Sequence, residues 1–237
     1  TYEEIEAEWN KMLQTVPQIG KFRIIHQEKK RYTFEDYSSQ IGNADAALGI
    51  WVHKGVINEK LFEAHPNLKY IATLGHGFED FDVEMTRRRG LTITNTIYGD
   101  VTIAQYAMAL LMNICHNVTV QSDYTKTGYW KEKETNPQAS YNQLFVPQIE
   151  LYQKTMGIII DEEALLEALE SRKVYMAGLD VVANEPPQYQ IPLMQSPYTF
   201  ITSHIAWQPK AARLRAADLA MKNFRSYLEG MPTSVIN

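Results

Sequence analysis

Short apolar runs alternate with stretches of helical periodicity along most of the chain. Residues 2–14 carry a helical pattern, and Phe22-Arg23-Ile24-Ile25 reads as a short strand. Thr33 to Gln40 predicts a helix, because Thr33 is a good N-cap and Asp36 follows three residues later, close to a capping box. Apolar runs over Ala46–Trp51, Leu68–Leu74 and 91–96 predict buried strands. Helices fall between them over Asn58–His65, which Pro66 closes, and over 80–89. Strands of this kind alternating with helices predict an α/β fold with a parallel sheet covered on both faces.

Residues 101–118 are apolar over more than one stripe, through Ile103, Ala104, Ala107, Met108, Leu110, Leu111, Ile114 and Cys115. Such a helix is expected between layers or against another subunit. The polar stretch from Thr119 to Gln148 is longer than an ordinary connection and predicts an arm or a domain junction. Beyond it, Lys154–Ile160, Val174–Val182 and 198–203 read as strands, and Asp161–Ser171 as a helix capped by Asp161. The last helix is expected to begin with Pro209 in its first turn and to stop at Gly230 and Pro232.

Composition narrows the functions. Of 237 residues 45% are hydrophobic and 22% charged, as in a globular protein. The net charge of -5, with no basic half, argues against a nucleic-acid partner. The triplet Arg87-Arg88-Arg89 sits where basic residues suit a helix C-terminus before Gly90. A single cysteine, Cys115, excludes an internal disulfide and fits a reducing, cytoplasmic compartment. Its apolar neighbours predict a core thiol. No apolar run is long enough to cross a bilayer. The acidic start lacks an initiator Met, so the natural N-terminus is expected upstream.

Candidate chemistry lies at strand ends. His26, His53, His65 and His116 stand alone and are read as structural or surface residues. His76 lies within Leu74-Gly75-His76-Gly77, at a strand's carboxyl end, where open α/β sheets bind ligands. His204 follows another strand, and Glu185 closes a third, before Pro186-Pro187. A carboxylate beside an imidazole favours the imidazolium and fixes the tautomer, which suits a proton donor. A surface glutamate and a core histidine are the alternative. No Cys-x-x-Cys, His-Glu-x-x-His or Gly-x-Ser-x-Gly is present, so neither a metal nor a serine nucleophile is expected.

In order, Asn67-Leu68-Lys69-Tyr70-Ile71, Gly75-His76-Gly77, Ala104-Gln105-Tyr106, Lys154-Thr155-Met156-Gly157-Ile158-Ile159, Gly178-Leu179-Asp180, Asn184-Glu185-Pro186 and His204-Ile205-Ala206-Trp207 resemble the NAD-dependent D-2-hydroxyacid dehydrogenases. The likeness is greatest to glycerate dehydrogenases and hydroxypyruvate reductases. It implies a flavodoxin-like parallel-sheet substrate domain over 1–98. Residues 99–204 follow as interdomain helix, arm and a truncated Rossmann-type nucleotide-binding domain, and 205–237 return as a C-terminal helix to the first domain. It implies an NAD-dependent oxidoreductase acting on a small 2-oxo or 2-hydroxy acid, as a homodimer. His204 is then the proton donor and Glu185 its partner. The amides of Leu74, Gly75 and His76 hold the substrate carboxylate, and Asp180 and Thr102 lie on the nicotinamide side. His76 stands where the family often has valine, and Gln105 where it has glutamate.

One segment of the family pattern is missing. There, the strand ending Gly-Ile-Ile enters a Gly-x-Gly-x-x-Gly turn that cradles the cofactor pyrophosphate at a helix N-terminus. Here Gly157-Ile158-Ile159-Ile160 runs into Asp161-Glu162-Glu163-Ala164, and the chain's one Gly-x-Gly, Gly75-His76-Gly77, has Asp80 three residues on. The lost stretch is expected to be most of a nucleotide-binding core, on the order of 100 residues. It would carry the family's substrate-binding arginine, which Thr94-Asn95-Thr96 mimics without supplying. A deliberate excision, a natural internal deletion, or a longer protein whose remaining segment is not in this sequence would each give this pattern. The alternative to an enzyme is a substrate-domain scaffold that binds no dinucleotide.

Overall fold

The computed structural model describes residues 2–26, 32–50, 52–78, 81–129, 146–157, 161–185, 187 and 190–237. The chain forms two compact units, one of residues 1–101 with 208–237 and one of residues 102–207.

The first unit is built on a parallel sheet of β1 (Ala46–Leu48), β2 (Tyr70–Ala72) and β3 (Thr92–Thr94), in that order. Successive side chains on a strand point to opposite faces, and β2 shows what this does here. Ile71 faces a core with Leu61 and Phe62 of α3 (Glu59–Ala64), Tyr37 and Ile41 of α2 (Phe34–Ile41), and Met85 of α4 (Val83–Arg88). Tyr70 and Ala72 face the opposite core, with Leu13 of α1 (Tyr2–Gln14) and Ala220, Met221 and Phe224 of the C-terminal helix (Lys210–Leu228). The three layers are therefore helix, sheet and helix. Tyr70 is fully buried, lies 5.0 Å from the Phe224 ring, and shares a 2.7 Å hydrogen bond with Thr94 Oγ1. Burial pushes its hydroxyl up to about 12.

Local signals explain the helix ends. Thr33 accepts from the Asp36 amide while the Asp36 carboxylate accepts from Thr33 N–H, a complete capping box. Gly42 ends α2 at φ 54°, in the left-handed region that glycine enters without cost. The open edge of β3 is covered by the chain end. Ile236 N–H donates to Ile93 O at 3.0 Å, and Ile93 N–H donates to Asn237 Oδ1 at 2.8 Å.

The second unit holds a parallel pair, β4 (Ala177–Leu179) and β5 (Thr199–Ile201). Leu165 and Leu169 of α7 (Glu162–Glu170) pack with Leu193 of the short α8 (Pro192–Gln195) on this pair. The long helix α5 (Asp100–His116) approaches β4 closely, since a Cβ on Gly178 would sit 3.0 Å from Leu110 Cβ.

Several expectations change. Residues 22–25 form no strand, because Arg23 instead reaches the Gln40 and Ile41 carbonyls at the end of α2. Residues 154–157 are irregular, and 158–160 lie outside the described residues. The polar stretch after α5 begins as helix, in α6 (Val118–Tyr124) and a π-helical turn (Thr125–Tyr129). Asn117 breaks from α5 at φ 49°, and Asn113 Oδ1 caps the Thr119 amide and hydroxyl. The rest of that stretch, 130–145, lies outside the described residues. Pro209 is the N-cap of the last helix, now α9, and Lys210 its first residue. No described helix is long and apolar enough to cross a membrane.

Candidate active site

In the first unit the loop Leu74-Gly75-His76-Gly77 leaves the carboxyl end of β2. It is tied to the chain after β3, where Thr96 N–H donates to Gly75 O at 3.1 Å and Asn95 Nδ2 donates to His76 O at 2.7 Å. Asn95 is itself held, since its carbonyl accepts from the buried Asn223 Nδ2 of α9 at 2.8 Å. Two loop carbonyls thus point to fixed donors. The Gly75 amide leans on Thr73 Oγ1 at 3.3 Å, and the amides of Leu74 and His76 meet no acceptor among the described residues. Such backbone donors suit an anion. The support that Asn95 and Asn223 give this loop escaped the sequence reading. A buried asparagine in a helix and an Asn-Thr pair after a strand announce nothing until the fold brings them together.

In the second unit, β4 and β5 run in parallel and bring Asp180 and the turn 202–206 to one end. The Asp180 carboxylate accepts from Thr202 Oγ1 (2.6 Å), Ile205 N (3.0 Å) and Ala206 N (2.8 Å). Its carbonyl accepts from His204 N at 2.7 Å. Burial disfavours the charged carboxyl, but the Thr202 hydroxyl and the two amides outweigh it and hold Asp180 below the usual carboxylate range. His204 has φ 56°, a left-handed conformation that costs a non-glycine residue about 1–2 kcal/mol. Trp207 Nε1 donates to the His204 carbonyl at 2.8 Å, so both backbone polar groups of the histidine are paired.

The His204 side chain meets Glu185. Nδ1 lies 2.5 Å from Oε2, and Oε1 accepts from Val182 N at 2.9 Å. An ionised carboxylate can only accept, so Nδ1 carries the proton and Nε2 is the atom left for exchange. The pair is open to solvent, with His204 55% and Glu185 30% exposed, so salt screens it. Thr102 is buried in the first turn of α5.

Three of the remaining histidines have local tasks. His65 is buried between Ser38 Oγ and the Gly42 carbonyl, His26 pairs with Glu6 at the surface, and His53 accepts from the Gly55 amide. Cys115 is buried, and burial pushes its thiol up, as for a packed rather than a reactive cysteine. No cluster of metal-ligating side chains occurs among the described residues.

Residues 2–237 match the family model described as D-isomer specific 2-hydroxyacid dehydrogenase, catalytic domain. The chain belongs to this family. A hydroxypyruvate reductase from Blautia hydrogenotrophica is 26% identical over 302 positions, covering 90% of this chain and 91% of the relative. A glyoxylate reductase from Thermofilum pendens is 22% identical over 301 positions, covering 90% and 88%. A structure described as a putative D-isomer specific 2-hydroxyacid dehydrogenase, NAD-binding, from a Polaromonas species superimposes with TM-score 0.69 at 18% identity, covering 99% of this chain and 96% of that one. Ninety per cent of 237 residues is about 213, so the 302-position alignment leaves about 89 positions without a residue of this D-2-hydroxyacid dehydrogenase chain. The relative is thus longer than this chain over the aligned span.

The family is one of oxidoreductases, and the cofactor it implies is NAD. The residues present do not fit the pyrophosphate of that cofactor. The helix after Gly157-Ile158-Ile159-Ile160 is α7, whose N-terminal amide at Ala164 is taken by Asp161 Oδ1 at 2.9 Å. Glu162 and Glu163 crowd its first turn. Asp161 thus occupies the helix start, and two further acidic residues add negative charge to a first turn where a phosphate needs bare N–H groups. Among the described residues nothing lies within 4 Å of a Cβ on Gly157.

Proposed function

We propose that this chain is the substrate-binding and proton-transfer part of a D-2-hydroxyacid dehydrogenase for a small 2-oxo or 2-hydroxy acid. The His204–Glu185 pair is the observation that carries the reading. Glu185 fixes the imidazole with its proton on Nδ1, which leaves Nε2 to give a proton to a carbonyl oxygen or take one from a hydroxyl. The amides of the Leu74–His76 loop hold the substrate carboxylate. Thr102 and Asp180 take nicotinamide-side places only when a nucleotide-binding core is present.

We further propose that the 237-residue chain alone transfers no hydride, because α7 offers carboxylates where a phosphate loop is needed. The named relatives, reductases of hydroxypyruvate and glyoxylate, point to those two acids as the first substrates to try. The chain acts as a homodimer through the apolar face of α5 on which Met108 and Met112 are exposed. The lone buried Cys115 suits the cytoplasm.

The test is NADH oxidation with hydroxypyruvate or glyoxylate, by the chain itself and by a version with a relative's nucleotide-binding core inserted between Ile160 and Asp161. Oxidation by the second alone supports the reading. Steady oxidation by the first contradicts it.

A further inference from the structure

We propose that Asp180 is a positioning residue for His204, with a task that needs no dinucleotide: it folds the turn that aims the imidazole at Glu185. The assignment rests on the reading of His204 as the proton donor.

The geometry is specific. Within seven residues the chain runs Thr202, Ser203, His204, Ile205, Ala206, Trp207 and Gln208, and Asp180 meets four of the first five. Its carboxylate collects the Thr202 hydroxyl and the amides of Ile205 and Ala206, and its carbonyl collects the His204 amide. A left-handed histidine is disfavoured by itself and persists only where its surroundings determine it. Here the residues on both sides are fastened to one carboxylate. Trp207 closes the turn from the far side by donating to the His204 carbonyl. The side-chain direction of His204 follows from its backbone, and Glu185 is independently anchored on the Val182 amide. Without the carboxylate, two adjacent amides lose their acceptor, the left-handed turn loses its hold, and Nδ1 leaves Oε2.

Asparagine at 180 keeps the size but offers one accepting atom instead of two, with an NH2 group facing a donor. The tautomer of an exposed imidazole can be read directly from long-range proton–nitrogen NMR spectra. The neutral His204 of the 237-residue chain is expected to keep its proton on Nδ1. Asp180→Asn is expected to move it toward the Nε2–H form usual for a free histidine, and to speed hydrogen exchange at Ile205 and Ala206 at least tenfold. The Leu165 amide of α7, which bonds Asp161 O, reports whether the unit stays folded. If Asp180→Asn unfolds it, Thr202→Val, which removes only the hydroxyl on Asp180, is read in the same way. Glu185→Gln serves as the control for the pair.

A tautomer unchanged in a folded Asp180→Asn, or in Thr202→Val where that substitutes for it, overturns the role of Asp180 and leaves the His204–Glu185 reading standing. A wild-type His204 already in the Nε2–H form overturns both. A purely structural Asp180 would alter stability and leave the tautomer alone.

Discussion

His204 Nδ1 lies 2.5 Å from Glu185 Oε2, across a gap of nineteen residues that the parallel pairing of β4 and β5 closes. Each partner is held from behind, the glutamate by the Val182 amide and the histidine by a turn built on Asp180. In the protein with an inserted nucleotide-binding core, His204→Gln should lower kcat by about 10²–10⁴-fold, the usual share of a positioned acid or base. Glu185→Gln should cost less, because the imidazole remains. Steady-state kinetics on hydroxypyruvate would check both.

Asp180 also sets an acid limit on stability. Its carboxyl is held below the unfolded value of about 3.9, so its contribution is complete above that pH and is lost as pH falls through the folded value. Urea midpoints of wild type and Asp180→Asn should therefore differ most near pH 6 and converge toward pH 2. A gap that stays constant to pH 2 would contradict this.

Tyr70 sets the alkaline limit. Its hydroxyl, pushed up to about 12 against an ordinary value near 10, stabilises the fold below pH 10 and loses that contribution as pH rises through 12. Tyr70→Phe should cost about 1 kcal/mol at neutral pH, through the bond to Thr94. It should also flatten the decline in stability above pH 10, measured by denaturant titration at a series of pH values.

Gly178 is required by approach rather than by turn geometry. An alanine there would place its Cβ 3.0 Å from Leu110 Cβ, an overpacking expected to cost about 1–3 kcal/mol. Combined with Leu110→Gly, which removes that Cβ, Gly178→Ala should cost less than it does alone, which a double-mutant cycle would read as coupling.

The exposed apolar face of α5 predicts self-association. Light scattering should give a mass near twice the 27.3 kDa of one chain, and Met108→Lys should shift it toward the monomer. A monomer mass for the unaltered chain would count against the dimer.

Much of this was legible in the sequence. Thr33 and Asp36 announced their capping box, because a helix start depends on residues three apart. The three strands of the first unit were legible as apolar runs, though each observed strand is only three residues long. Glu185 and His204 could be named from strand ends and family motifs. What escaped depended on contacts far apart in the chain. Asn223 supports Asn95, 128 residues away, and Asp180 gathers amides 25 and 26 residues on. Arg23 was hidden for the same reason, since a strand-like run near a helix end gives no sign that its side chain will bind that helix's last carbonyls.

The most direct measurement is a titration of the 237-residue chain with NADH, followed by fluorescence and then by absorbance after adding hydroxypyruvate, with the core-inserted version alongside. We expect no saturable binding and no oxidation by the chain alone, and both by the version with the core. Saturable binding and steady oxidation by the 237-residue chain would contradict the reading of α7 as a helix start closed to phosphate.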